Sequence, residues 1–200
     1  MNIWEVKILM KDIMIATGNK NKVREYKEML EPLGYTVHDL SEIDHQDVEE
    51  TGKTFGENAL IKARSVKCDM ICVADDSGLS IDALKGQPGI HSARYLQGHD
   101  YTYKNKMILR RMKNKTDRNA HFTCAIALVD GDKEVVFEGV MNGEIATEIK
   151  GSNGFGYDPI FYLPQYGKTS AQLQPEEKNA ISHRGQATRQ LLEYLKGENK

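Results

Sequence analysis

The sequence predicts an α/β fold built on a mixed β-sheet, and three features of its 200 residues carry that prediction. Short apolar runs hand over to helical spacing twice in the first half, a hairpin pattern follows in the second, and the chain closes on an amphipathic helix. Ile13 to Thr17 is the first apolar run; it stops at Gly18-Asn19, after which Val23, Tyr26, Leu30 and Leu33 recur at helical spacing and Gly34 ends the helix. Thr36 to Leu40 returns as a strand. Thr54 can cap a second helix, with Glu57 three residues on and Ala59, Leu60, Ala63 and Val66 as its apolar stripe. Met70 to Ala74 then reads as a short buried strand that runs into a turn at Asp75-Asp76-Ser77-Gly78. Tyr101 to Lys113 reads as a helix, Ala120 to Val129 and Lys133 to Met141 as a hairpin about Asp130-Gly131-Asp132, and Ile160 to Leu163 as a strand. Ser182 to Leu195 closes the chain as a helix that buries Ala187, Leu191, Leu192 and Leu195.

Composition narrows the function. At 40% hydrophobic residues the chain can bury a core as one domain, or as two lobes sharing one sheet. The formal net charge of -2 argues against a protein that coats nucleic acid, so any anion site must be local. No apolar run approaches the roughly 20 residues needed to cross a bilayer. Met1 to Asp12 mixes Trp4 and Ile8 with Glu5, Lys7, Lys11 and Asp12, lacks the apolar stretch of a secretory signal, and reads as an N-terminal extension to a single domain over 13–200. Cys68, Cys72 and Cys124 form no C-x-x-C pair, which fits a reducing, cytoplasmic compartment, and the six histidines show no zinc-type spacing.

Four segments carry chemistry. Thr17-Gly18-Asn19-Lys20-Asn21-Lys22 lies where a strand meets a helix start, where free amides and the helix dipole attract phosphate; Gly-Asn is equally an ordinary turn and cap. Glu49 and Glu50 in one loop, with Asp75 and Asp76 after the third strand, offer carboxylates of the kind magnesium takes alongside water and phosphate oxygens, although each pair alone also reads as a solvated loop or turn. Gly154-Phe155-Gly156-Tyr157-Asp158-Pro159 can stack a base or pack a corner. Lys178 with Ser182-His183-Arg184 sets donors at a helix start.

In this order the segments resemble the inosine triphosphate pyrophosphatase family. The resemblance spans Ile13 to Leu195 and rests on TGNKNK at 17–22, EETG then FGENALIKA within 49–63, ADDSGL at 74–79, PGIHSARY at 88–95, GFGYDPIF at 154–161 and KNAISHRGQA at 178–187. It implies an elongated mixed sheet flanked by helices, two lobes with a central cleft, a homodimer, and magnesium-dependent hydrolysis of ITP, dITP and XTP to monophosphate and pyrophosphate. By motif, Thr17 to Lys22 hold the triphosphate with Lys62 and Lys178 adding charge. Glu49 and Asp76 are the implied magnesium ligands, and Asp76 is also the base for the attacking water. Ser77 contacts substrate, Phe155, Gly156, Tyr157 and Asp158 hold the base and nearby phosphate, and His183 with Arg184 read the purine. Gln172, where the family often has glutamate, and Ser152-Asn153 depart from the pattern. Two rival readings are a Maf-type pyrophosphatase acting on other nucleotides, which the SHR motif disfavours, and a catalytically silent nucleotide or strand binder, which the four acids disfavour.

Overall fold

The structure, a computed structural model, describes residues 11–197. Its centre is an eight-stranded sheet with the order β2-β1-β3-β5-β6-β7-β8, and β4 pairing onto β3. The first half is two strand-helix crossovers. Strand β1 (Lys11–Ile15) leads to α1 (Lys20–Leu30), β2 (Tyr35–Asp39), α2 (Phe55–Ser65) and β3 (Ile71–Ile81), and β1 runs parallel to both β2 and β3. After β4 (Gln87–Pro88) and α3 (Tyr101–Arg111), β5 (Asn119–Asp130) and β6 (Lys133–Ile145) form a long hairpin that pairs antiparallel with β3. Short β7 (Phe161–Leu163) and β8 (Lys168–Thr169) finish the sheet before α4 (Pro175–Ile181) and α5 (His183–Gly197).

Caps and periodicity account for the helices. Asn19 Oδ1 accepts from the amides of Asn21 and Lys22 at the start of α1, and Thr54 Oγ1 accepts from Glu57 N at the start of α2. Helix α1 buries Val23, Tyr26 and Leu30 and α2 buries Ala59 and Ala63, whereas Leu33, read as the end of the first stripe, lies past α1 and is 52% exposed, and Leu60 and Val66 are only partly buried. Val73 of β3 packs with Ile13, Ile15, Ile126 and Leu128 beneath Tyr26 and Leu30 of α1 and Leu191 and Leu195 of α5. On the opposite face Met14, Cys72, Ala74 and Ala127 meet Ala59 and Ala63 of α2. A separate core at the far end joins Leu79, Ile81, Phe122 and Met141 to Ile108 of α3 and to Met112, which caps it. Each fully buried side chain of this size contributes about 1.5–3 kcal/mol, so each of these cores has its own hydrophobic drive. The long strands β3, β5 and β6 belong to both the first core and the far one, and residues 75–78 sit between the two.

Three expectations are corrected. Asp75 to Gly78 are not a turn: β3 continues to Ile81, because β5 pairs with it residue by residue from Cys72↔Val129 to Ile81↔Ala120. Lys11 and Asp12 are not part of an extension but pair with Tyr35 and Thr36, while the extension over 1–10 lies outside the described residues. The closing helix is preceded by α4, whose first turn carries a capping box between Gln174 and Glu177 that the sequence reading did not use. Among the described residues no helix is long and apolar enough to cross a membrane.

Candidate active site

Strand β1 ends at Ile15 while its neighbour β3 continues, and this mismatch creates the site. Ala16 N still donates to the Val73 carbonyl at 2.7 Å, but the chain then turns away through Thr17–Asn19 into α1. The Asp75 carbonyl, which a longer β1 would have paired, instead accepts from Lys22 Nζ at 3.3 Å. Side chains alternate across a strand, so Asp75 and Ser77 face α1 and α5 while Asp76 faces α2. Adjacent acids thereby receive different surroundings.

Asp75 is wholly buried. Its Oδ2 lies 3.0 Å from Lys22 Nζ and 2.9 Å from Arg184 Nη2. Burial alone pushes its pKa up, but Lys22 and Arg184 outweigh that and hold the carboxyl well below the usual range. Arg184 also donates to Ser77 Oγ at 3.0 Å and to Glu25 of α1. Glu25 Oε1 accepts from Lys178 Nζ at 2.9 Å, and Lys178 donates in turn to Asp158 Oδ2 at 2.7 Å. The same Asp158 oxygen accepts from Phe155 N at 2.8 Å, which folds the Gly154–Asp158 turn. Gly154 sits at φ +72 against that carboxylate, a backbone conformation and a closeness that a Cβ would not tolerate.

Asp76 is held on the other face by Asn58 Nδ2 at 3.2 Å and Lys62 Nζ at 3.3 Å. Lys62 also meets Glu50 Oε1 at 2.8 Å, and Glu50 Oε2 meets Arg94 Nη1 at 3.1 Å. Burial lowers the Lys62 pKa, yet Asp76, Asp75 and Glu50 together raise it, so the ammonium stays charged.

Lys22, Glu50, Lys62, Asp76, Ser77, Asp158, Lys178 and Arg184 border one cavity of about 410 Å³, within the range of small-molecule sites, while Glu25, Asn58 and Asp75 support it from behind. Thr17, Gly18, Asn19 and Lys22 form one wall, and Lys62, Asp76 and Ser77 another. Phe155, Gly156, Tyr157 and Asp158 face Lys178, His183 and Arg184 at the aromatic end. There Lys178 Nζ and Arg184 Cζ lie 5.1 and 5.7 Å from the Phe155 ring centre, and His183 stacks on Phe122 at 4.7 Å. Burial drives the His183 pKa well below its ordinary value, so the ring is neutral and its buried Nδ1 has no protein partner among the described residues. Lys20, Asn21 and Glu49 do not border the cavity. Glu49 is exposed, whereas Glu50 borders it.

The sequence model of the Ham1 family matches residues 13–194. The chain belongs to the Ham1 family. A dITP/XTP pyrophosphatase of Bacillus subtilis (strain 168) is 46% identical over 195 residues, covering 94% of this chain and 98% of that protein. One of Staphylococcus aureus (strain N315) is 45% identical over 194 residues, covering 94% of this chain and 98% of that protein. The solved Staphylococcus aureus Ham1 protein superposes with a TM-score of 0.84 at 44% identity, covering 94% of this chain and all of that one. A HAM1 protein from Coxiella burnetii gives 0.85 at 43% identity, with the same coverage.

In this Ham1 chain the structure adds residues that the sequence reading left without a role. Glu25 joins Lys178 to Arg184, and its signal was a charged residue beside Tyr26 on the inward face of α1. Asn58, fully buried on α2, orients Asp76 and also accepts from Gly52 N at 2.8 Å, which ties the acidic loop to the site. Phe122 on β5 carries no local mark of its stacking role. Lys178, read as adding charge at the triphosphate, borders the cavity at the aromatic end and pairs there with Glu25 and Asp158.

Proposed function

We propose that this Ham1-family chain is a nucleoside triphosphate pyrophosphatase that hydrolyses ITP, dITP and XTP to the monophosphate and pyrophosphate. The observation that carries the reading is that one cavity joins Lys22, Lys62 and Asp76 at one end to Phe155, His183 and Arg184 at the other, so a polyphosphate and a purine have separate places. Its relatives' printed names, dITP/XTP pyrophosphatase, agree with it.

A triphosphate carries about four negative charges, and water attack is opposed until cations neutralise its oxygens. Lys22 and Lys62 border the polyphosphate end, where they form ion pairs with Asp75 and Asp76. Asp76 takes a proton from water as the water oxygen bonds to the α-phosphorus; the bond from that phosphorus to the bridging oxygen breaks, and pyrophosphate leaves with the electron pair. Asn58 and Lys62 fix the direction in which the Asp76 carboxylate points.

The residues fit a magnesium ion. All the candidate donors are carboxylate oxygens, and the Lys62 ammonium already bridges Asp76 and Glu50, so a cation suits this position. Among the described residues no cluster of three or more His, Cys, Asp or Glu could hold a metal by itself, which suits an ion that keeps water and phosphate ligands. Asp76 is one proposed ligand. Glu49, carried from the sequence motif, is the proposed second; it is exposed with no hydrogen bond or ion pair among the described residues, while its neighbour Glu50 borders the cavity and meets Lys62 and Arg94. The bound ion would supply charge neutralisation and a more acidic water. Glu49→Gln is expected to raise the magnesium concentration for half-maximal activity about tenfold, the effect of losing one charged ligand contact. A shift confined to Glu50→Gln reassigns the ligand.

Base choice follows from hydrogen-bond polarity. Hypoxanthine and xanthine present an acceptor at position 6 and a donor at N1, and adenine reverses both. Arg184 as a donor at O6 rejects adenine; two buried mismatches of about 1–3 kcal/mol give discrimination of about a hundredfold to ten-thousandfold. The direct assay is pyrophosphate release from ITP, dITP, XTP, UTP and ATP with and without magnesium. Turnover of ATP equal to that of ITP would sink the reading. A cytoplasmic, homodimeric enzyme completes the proposal, supported by the family pattern and by three free cysteines.

A further inference from the structure

Helix α3 carries two buried polar side chains on the face it turns inward. Asp100 caps the helix, its Oδ1 accepting from Tyr103 N at 2.8 Å, and the inward face runs through Lys104, Asn105 and Ile108. Ile108 joins the far core, but Lys104 and Asn105 each reach a main-chain carbonyl of a segment that borders the cavity. Lys104 Nζ donates to the Ala93 carbonyl at 2.9 Å, and Asn105 Nδ2 donates to the Gly156 carbonyl at 3.1 Å. Tyr101, one turn earlier, borders the cavity and meets the Tyr157 ring edge-on at 5.2 Å. Asn105 itself is buried behind this wall and does not border the cavity.

The Gly154–Asp158 turn needs such a hold. Gly154 and Gly156 both take positive φ, +72 and +69, and two glycines leave an unfastened turn free to adopt other conformations. Within the turn Phe155 N donates to Asp158 Oδ2 and Asp158 N donates to the Phe155 carbonyl, while the Gly156 carbonyl is fastened from outside by Asn105. That fastening costs stability. Asn105 Oδ1 is buried with no hydrogen-bond partner among the described residues, a loss that an apolar side chain at this position would avoid. A polar group kept in a core at such a cost, and aimed at a cavity-lining turn, is the pattern of a residue retained for a site. We propose that Asn105 is a positioning residue for the purine: by holding the Gly156 carbonyl it keeps the Phe155–Tyr157 turn in the arrangement that seats the base. This rests on the triphosphate reading above. Loss of the bond lowers the fraction of molecules whose turn is ready, and the apparent affinity for any base-bearing ligand falls by the same factor.

The test compares wild type, Asn105→Leu, Asn105→Ala and Ile108→Val. It reads kcat and KM for ITP, and inhibition by inosine monophosphate, which carries the base, and by pyrophosphate, which does not. Both Asn105 variants are expected to raise the KM for ITP and the inhibition constant of inosine monophosphate about tenfold, as for losing one hydrogen bond to a buried carbonyl. Their kcat at saturating ITP stays within about threefold, because the contact is made equally before and during reaction. Pyrophosphate inhibition stays within about twofold, since its site is remote from the turn. Asn105→Leu keeps or raises the melting temperature, which separates a displaced turn from a weakened fold. Ile108→Val removes a methyl group from the apolar part of the same helix face and leaves the constants within about twofold. If wild type hydrolyses ITP and the folded Asn105 variants keep their KM and inosine monophosphate inhibition, the Asn105 assignment alone is overturned. An equal rise for pyrophosphate and inosine monophosphate, or the same rise in Ile108→Val, overturns it too. If wild type releases no pyrophosphate from ITP, the triphosphate reading falls and the Asn105 role with it.

Discussion

Asp75→Asn is expected to destabilise the fold by about 3–5 kcal/mol, because it leaves buried cations without their shared counter-charge. The carboxylate is wholly buried and accepts from both Lys22 and Arg184. Arg184 is itself buried, and Glu25 would be its remaining acid, already shared with Lys178. For a chain of this size each kcal/mol moves the melting temperature by about 2–4 °C, so a fall of roughly 10 °C is expected in a calorimetric scan. The pH dependence has a definite sign. Burial pushes the Asp75 pKa up, Lys22 and Arg184 pull it further down, and the net folded value lies below the unfolded value of about 3.9. The folded state therefore binds fewer protons than the unfolded one in acid. Its stabilisation is fully present above about pH 5 and is lost as pH falls through the unfolded pKa towards the folded one. Asp75→Asn lacks this component, so its stability should change less steeply between about pH 5 and pH 3 than that of wild type. Parallel acid profiles for the two proteins would remove Asp75 from the account.

The same residue marks where the sequence stopped being legible. Strand β1, helices α1 and α2 and the β5–β6 hairpin were readable because apolar spacing, caps and a two-residue turn are local signals. Asp75-Asp76-Ser77-Gly78 gave the opposite local signal, since in isolation those residues favour a turn. They are strand because β5 supplies the ladder and because Lys22, Arg184, Asn58 and Lys62, from three different helices, satisfy the two acids. Nothing within a short window records such partners. The site was legible as a set of motifs for a related reason: each marks a place where a strand or helix end carries polar residues that the core would not accept. Pairwise roles were not legible, because which of Glu49 and Glu50 turns inward, or whether Lys178 faces a phosphate or Glu25, depends on packing between segments far apart in the chain.

Asp76→Asn is expected to lower kcat by about 10²–10⁴-fold, the range for losing a general base, while leaving the fold intact. The replacement matches the carboxylate in shape, so the β3–β5 ladder and the packing against α2 persist. What changes is function: an amide cannot take the water's proton, and its NH2 group would face either Asn58 Nδ2 or Lys62 Nζ, both donors. A purely structural role predicts weaker substrate binding together with slower turnover. The base role predicts a split. Removing a negative charge from beside the polyphosphate should hold or tighten the Kd for ITP measured without magnesium, even as kcat with magnesium collapses. Asp76→Glu adds a second constraint, because it keeps the charge and moves the oxygens by about one methylene, a displacement of order 1 Å that costs about 10²-fold when geometry governs the rate. An Asp76→Asn protein that folds, binds ITP and turns it over within tenfold of wild type places the base elsewhere; of the cavity's other carboxylates, Glu50 and Asp158 are committed to two cations or to a cation and a backbone amide, and Asp47 is an exposed loop acid beside His45. Asp76 meets Lys62 and Asn58 among the described residues and borders the cavity directly, which is why it is the carboxylate assigned the proton.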